Sequence, residues 1–322
     1  MSFLFDEVYF SYFCHKQCYY ALCSKFTVLK LMKILLVGNS IIDHIEQTAG
    51  YNIKPGGIYY SALGAYSVIK EYDTIYILTG WNEDSIKIFG NVYSKIDMSY
   101  SNKINSLPEV ILKTSGDNER EEIYINLSTQ LSIELIKDWN QFDGILINMI
   151  TGFDITTEQL QFIRSRFKGK IYFDIHTLSR GIDKNLKREF RPVPDIEKWL
   201  ANIDILQTNE NELSTITTSP DEKGAAKEIL NFGPKILIIT KGAKGAVVYF
   251  KNQERIDFYT VDAEKVEAVN KIGCGDIFGA VFFYTYIKDN DVINSLKTAN
   301  KAGSLAVSNS DYLINAKAII CD

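Results

Sequence analysis

The sequence predicts an α/β fold: a three-layer α/β/α sandwich on a mostly parallel central sheet, with a small β-strand lid. Two observations carry the sandwich. From Met32 onward, apolar runs of four to six residues alternate with amphipathic stretches, the pattern of a parallel sheet covered on both faces. No fixed-period repeat or low-complexity linker divides the chain. A third observation adds the lid: two segments, 46–57 and 109–127, break the alternation.

The strands expected are KILLVGN (33–39), TIYILT (74–79), GILINM (144–149), KIYFDI (170–175), IDILQT (203–208) and KILIIT (235–240). Helical periodicity lies between them at 59–72, 85–96 and 156–167. Right-handed crossovers join such units into a doubly wound sheet. The segment 109–127 reads as two strands joined by the turn-rich stretch Thr114 to Asn118. Extra strands of this kind, from about 46–57 and 109–127, are expected to form the lid within a domain spanning 32–322. Residues 1–31 stand apart: they are crowded with aromatics and cysteine, lack a clean period, and are interrupted by Asp6, Glu7, His15, Lys16 and Lys25. They offer neither a membrane span nor a signal peptide. Met32 is the expected native start, with 1–31 an extension outside the native fold.

Composition narrows the function. The 322 residues are 46% hydrophobic and 23% charged, ordinary for a globular chain. A net charge of −5 with scattered Lys and Arg speaks against nucleic-acid partners. The five cysteines, at 14, 18, 23, 274 and 321, form no disulfide framework and suit a reducing, cytoplasmic home. Cys14, His15, Cys18 and Cys23 lack a second half to complete a tetrahedral metal set, and three histidines cannot supply a His-rich zinc centre. The phosphate-binding G-x-x-x-x-G-K-[ST] loop is missing, and the first strand is followed by Gly38 alone rather than G-x-G-x-x-G.

The chemistry concentrates in AVNKIGCGDIFGAVFFYTYIKDN (268–290). Gly273 and Gly275 flank Cys274, and Asp276 opens a long apolar helix. Glycines ahead of a helix allow a sharp turn that exposes backbone N–H groups at the positive end of the helix dipole, an anion site. A carboxylate beside that cradle suits phosphoryl transfer: the acid takes a hydroxyl proton while the N–H donors hold the transferring group. An Asp capping a helix after a glycine turn is the plain alternative.

Asn270 to Phe278, N-K-I-G-C-G-D-I-F, resembles the late signature D-T-x-G-A-G-D-x-F of the ribokinase-like (PfkB) carbohydrate kinases. The resemblance implies that Asp276 is the catalytic base and that the backbone of Gly273, Cys274 and Gly275 is the anion hole. Four further segments match in the family's order. VGNSIID (37–43) looks like its first strand, which ends in a hydroxyl-gripping Asp, here Asp43. KPGGIYYSALGAY (54–66) is similar to the P-G-G-x-x-x-N-x-A block, giving Gly56 and Gly57, with Ser61 or a neighbour for the Asn. TNENEL (208–213) fits N-x-x-E and puts Asn209 and Glu212 where they would influence magnesium and phosphate; a helix capping box explains the same pair. TKGAKGAVVY (240–249) resembles T-x-G-x-x-G, assigning Thr240, Gly242 and Gly245 to the nucleotide side with Lys271 and Asn300, although a plain hairpin turn reads the same way.

The departures are Asn270 for the family's Asp, Lys271 for a small hydroxyl residue, Cys274 for Ala, and D-x-N-x-R rendered as Asp174, His176 and a shifted Arg180. His176 touches substrate or phosphate on one reading and is a hydrogen-bonded structural residue on the other. The resemblance implies an ATP- and Mg2+-dependent kinase acting on a sugar or nucleoside hydroxyl. The alternative is a kinase-like sugar or nucleotide binder that has lost efficient turnover. Unpaired lid edges invite a homodimer.

Overall fold

In the computed structural model, residues 31–47, 50–113, 121–127, 130–267 and 269–315 are described. Residues 1–30, and so the reading of them as an extension, lie outside these. The elements below belong to the unit Met32–Asp322.

Eight strands form the central sheet in the order Arg255–Val261, Ala246–Asn252, Ile236–Thr240, Ile205–Asn209, Lys170–Asp174, Gly144–Asn148, Lys33–Val37, Thr74–Leu78. Neighbours pair in parallel except around Ala246–Asn252, which runs antiparallel to both its partners. The parallel strands are apolar along their middles, as burial on both faces demands; Ile145, Ile147, Ile171, Phe173, Leu237 and Ile239 are fully buried. One face packs against the helices Ile58–Val68, Glu83–Tyr93, Cys274–Asp289 and Val292–Asn315. The other packs against Thr157–Arg166, Ile196–Leu200 and Glu222–Phe232. These are the three layers of an α/β/α sandwich. Each fully buried Leu, Ile or Phe contributes about 1.5–3 kcal/mol, and truncating Phe282 or Phe283, both fully buried, costs about 3–5 kcal/mol.

Polar residues end the strands where the backbone leaves the sheet. Asp174 stands beside Asn148 on one side and Gln207 on the other, and Asn209 stands beside Thr240. The carboxyl edge of an apolar sheet thus carries a row of hydrogen-bonding side chains, the place where open α/β sheets bind ligands. The helices behind this edge have sequence-encoded starts: Asn82 with Ser85, and Thr156 with Gln159, each form a reciprocal capping box.

A second sheet of four strands runs in the order Gly50–Gly57, Ser40–Gln47, Glu109–Lys113, Glu121–Asn126. One face buries Ile41, Asp43, Ile45, Val110, Leu112, Glu122 and Tyr124. Asp43 therefore does not close the first core strand, as VGNSIID suggested. The core strand ends at Val37, and Asp43 lies in the separate strand Ser40–Gln47. A short hairpin, Arg180–Ile182 with Arg188–Phe190, docks on this sheet through Tyr124 N–H to Leu186 O at 3.0 Å. No helix among the described residues is long and apolar enough to cross a membrane.

Candidate active site

The helix Cys274–Asp289 begins two residues before Asp276, so the acid sits inside the first turn rather than opening it. Gly273 caps the helix with φ 77°, and a Cβ there would fall 2.1 Å from Tyr60 Cγ; both facts require glycine. Gly275 differs. A Cβ on it would meet nothing nearer than Gln207 Nε2 at 3.9 Å, so packing does not demand glycine at this position. The first intrahelical bond made from this bend is Ile277 N–H to Gly273 O, at 2.9 Å. The first turn of a helix points its backbone N–H groups outward along the axis, which makes this end a seat for an anion. The turn ahead of it is fixed by Asn270, whose Oδ1 accepts from Ile272 N at 3.0 Å. That task needs an oxygen, which Asn supplies as well as Asp.

A cleft opens between this bend and the four-stranded sheet. Asp43, Gly57, Gly273 and Asp276 line it together with Tyr60, His176, Glu122 and Arg188. Asn148 Nδ2 donates to Asp276 Oδ1 at 2.6 Å and to Ser61 Oγ at 3.1 Å, orienting the carboxylate from the sheet side. Ser61 is buried behind that pair and does not line the cleft. Gly56 supports Asp43, because a Cβ at 56 would fall 2.3 Å from the Asp43 carboxylate.

Next to Asp276 lies a buried polar network. Gln207 Nε2 donates to Asp174 Oδ2 at 2.7 Å and to Gly275 O at 3.1 Å, while Tyr172 donates to Gln207 Oε1. Burial pushes the Asp174 carboxyl well above the usual carboxylate range; the charge of His176 opposes this, and Glu212 and Asp276 add to it. His176 has φ 23°, which is uncommon for a residue with a side chain, and its Nδ1 lies 3.7 Å from Glu212 Oε1. Burial alone would lower the His176 imidazole, but Glu212, Asp276 and Asp174 outweigh it and raise its pKa to about 9.

The remaining residues named from sequence lie outside the cleft. Asn209 accepts from Glu212 N at 2.9 Å, and Glu212 Oε2 accepts from Asn209 N at 3.0 Å, a capping box. Glu212 Oε1 is buried without a hydrogen bond. Thr240 ends its strand and donates to Thr208 O at 3.4 Å. Gly245, with φ 91°, closes the turn into Ala246–Asn252, whereas a Cβ on Gly242 would meet open space. Asn300 ties the last helix to Asp262 O at 2.9 Å, and Lys271 is exposed beside the bend. Among the described residues no group of three or more His, Cys, Asp or Glu side chains is placed to hold a metal ion.

Asn148, Gln207, Glu122 and Arg188 were not picked out by sequence. The signal for Asn148 was a polar residue ending an otherwise apolar strand, for Gln207 a polar side chain inside the strand Ile205–Asn209, and for Glu122 an acid on the same face as Tyr124.

Residues 163–316 match the family model for pfkB family carbohydrate kinases. A deoxyribokinase of Salmonella typhi is 26% identical over 189 residues, which cover 55% of this chain and 59% of that protein. The chain thus matches somewhat over half the length of that relative. Among solved structures, a sulfate complex of a pyrophosphate-dependent kinase in the ribokinase family superposes with a TM-score of 0.73 at 17% identity, covering 89% of this chain and all of the other. Arabidopsis thaliana ribokinase complexed with ribose and ATP superposes with a TM-score of 0.68 at 18% identity, covering 90% of this chain and 99% of that one.

Proposed function

We propose, from the premise that this chain belongs to the ribokinase-like (PfkB) carbohydrate kinase family, that it transfers the γ-phosphoryl group of ATP to a hydroxyl of a sugar or nucleoside. The observation that carries this reading is one cleft lined by Asp43, Gly57, the helix start at Gly273 and the Asp276 carboxylate. The acceptor lies between Asp43, Gly57 and Asp276. Asp43 accepts from its hydroxyls and fixes which of them faces Asp276. Asp276, oriented by Asn148, takes the proton of that hydroxyl as its oxygen bonds to the γ-phosphorus and the bond to ADP breaks. The backbone of Gly273, Cys274 and Gly275 meets the charge on the transferring phosphoryl. The lack of close packing at Gly275, where a Cβ would meet only Gln207 Nε2 at 3.9 Å, suits a phosphate there. Thr240, Gly242, Gly245, Lys271 and Asn300 belong to the nucleotide side of this reading.

Magnesium, arriving with the nucleotide, supplies neutralisation of phosphate charge. Glu212 Oε1, buried without a hydrogen bond, fits an indirect contact to it through water or phosphate, with Asn209 holding the carboxylate in place. The sheet Ser40–Gln47 with Glu109–Lys113 and its neighbours acts as the lid that excludes competing water. Its edge strand Gly50–Gly57 exposes Tyr51 and Ile53, which supports a homodimer through the lid. A cytoplasmic location completes the reading, with residues 1–31 outside the kinase domain 32–322.

The test is a coupled assay over a panel of sugars and nucleosides, following ADP release with ATP and phosphate release with pyrophosphate. Transfer from ATP is expected. Acceptor binding without turnover would favour the binder reading, and transfer from pyrophosphate alone would overturn the choice of donor.

A further inference from the structure

Glu122 is an acid on a lid strand whose inward neighbours are apolar. It pairs in register with Leu112, and Val110 and Leu112 share its wall of the cleft. A carboxylate so placed is costly to desolvate unless it is paired. Its Oε1 accepts from Arg180 Nη1 at 3.2 Å and its Oε2 from Arg188 Nη1 at 2.8 Å. Arg188 Nη2 also donates to Ile150 O at 2.9 Å, and its guanidinium lies 4.4 Å over the Tyr124 ring. The side chains of Glu122, Arg180 and Arg188 are 2%, 8% and 5% exposed. Each guanidinium thus gives an Nη1 hydrogen bond to the lid's own acid.

The consequence is electrostatic. The cleft wall presents the carboxylates of Asp43, Glu122 and Asp276, against Arg188 and His176. An acceptor already carrying a phosphate needs a guanidinium that is not matched elsewhere, and bidentate capture is what arginine offers such a group. Here it would meet guanidiniums already held by Glu122, in a cleft whose carboxylates Asp43, Glu122 and Asp276 already match the cations Arg180, Arg188 and His176 and leave no net positive charge for it. A hydroxyl meets no such penalty, because a carboxylate oxygen that accepts from arginine retains a second lone pair for an O–H donor.

We propose that Glu122, clamped by Arg180 and Arg188, is a specificity residue of the acceptor site that admits uncharged polyols or nucleosides and turns away sugar phosphates. The inference rests on the kinase reading above and adds the charge class of the acceptor.

The test compares pairs in which the ester leaves a primary hydroxyl free: ribose with ribose 1-phosphate, deoxyribose with deoxyribose 1-phosphate, and fructose with fructose 6-phosphate. Turnover and ligand-induced change in Tm are both measured on the full chain. At least one uncharged member is expected to exceed its ester by about 10²-fold or more in kcat/KM, since like-charge juxtaposition is heavily penalised. Glu122→Gln keeps the shape and removes the charge; it should narrow that ratio by about tenfold, chiefly through KM, with kcat on the uncharged sugar changed only a few-fold. Equal or better use of the ester by the unaltered chain overturns the inference and leaves the kinase reading standing. Unchanged discrimination in a folded Glu122→Gln protein overturns the role of Glu122. If no acceptor of these pairs is phosphorylated, the wider panel of sugars and nucleosides decides the kinase reading, and Tm judges the charge class alone: stabilisation by an uncharged member over its ester supports it. Stabilisation by the ester, or by neither, overturns it. If Glu122→Gln does not fold, the comparison on the unaltered chain decides.

Discussion

Asn148 Nδ2 donates to Asp276 Oδ1 at 2.6 Å, joining the end of the strand Gly144–Asn148 to the first turn of the helix Cys274–Asp289. The two residues are 128 positions apart in sequence. The bond fixes one carboxylate oxygen from the sheet side, while the helix start sets the backbone of the same residue. The proposed base is therefore oriented by two independent elements, and the two substitutions below separate proton transfer from orientation.

Asp276→Asn removes the base and should lower kcat by about 10²–10⁴-fold with acceptor affinity largely kept. Asn148→Ala leaves the base but frees its orientation, and should lower kcat by about 10–10²-fold. Steady-state kinetics with separate kcat and KM on both variants check this. Full turnover by Asp276→Asn would remove Asp276 from the chemistry.

The sheet was legible because its apolar runs have few alternatives: Lys33–Val37, Lys170–Asp174 and Ile236–Thr240 lie within the segments read as strands. The bend at Gly273 was legible because glycine, acid and apolar helix are local signals. The cleft's other wall was not, because it depends on pairings distant in sequence. Ser40–Gln47 pairs in parallel with Glu109–Lys113, which a local pattern cannot show, and this is why Asp43 was placed on a core strand. Glu122 reads as one more polar residue of a lid hairpin until Arg180 and Arg188 arrive from a separate hairpin. The pair Asn209 and Glu212 was legible as a capping box, and that is the geometry it adopts.

His176 gives a pH signature to stability. An unfolded histidine titrates near 6.5, whereas the fold raises His176 to about 9. The folded chain therefore holds this proton more tightly than the unfolded one. The resulting stabilisation is fully present below about pH 6.5 and is lost as pH rises through about 9. His176→Asn, which tolerates the φ of 23°, should lose less stability between pH 6 and pH 9.5 than the unaltered chain. Urea midpoints at both pH values measure it, and equal losses in the two proteins would refute the assignment.

Asp154 pins the stem of the lid to the loop that follows Asn148. Its Oδ1 accepts from Asn39 N and Nδ2, both at 2.8 Å, and its Oδ2 from Thr151 N at 2.9 Å and Gly152 N at 3.2 Å. Asp154 is fully buried, so Asp154→Ala strands several donors away from water. A loss on the order of 3 kcal/mol or more is expected. Because Ile41 and Ile150 flank these loops and line the cleft, the acceptor KM should rise as well. Denaturant unfolding and initial rates below the new midpoint would show whether both effects occur.

Gly273 and Gly275 separate what the fold needs from what a bound phosphate needs. Gly273→Ala places a methyl group against Tyr60 and forces a side chain onto φ 77°, so the bend should lose about 1–3 kcal/mol. Gly275→Ala meets nothing nearer than Gln207 Nε2 at 3.9 Å within a helical turn, and the exchange of glycine for alanine there should leave stability unchanged or raise it by up to about 1 kcal/mol. The methyl group would instead enter the space assigned to the transferring phosphoryl. Activity should therefore fall by ~10²-fold or more, as when an oxyanion donor is lost, in a protein at least as stable as the parent. Thermal unfolding and steady-state rates on Gly275→Ala test this directly. A stable variant with unaltered turnover would mean that the anion seat lies elsewhere.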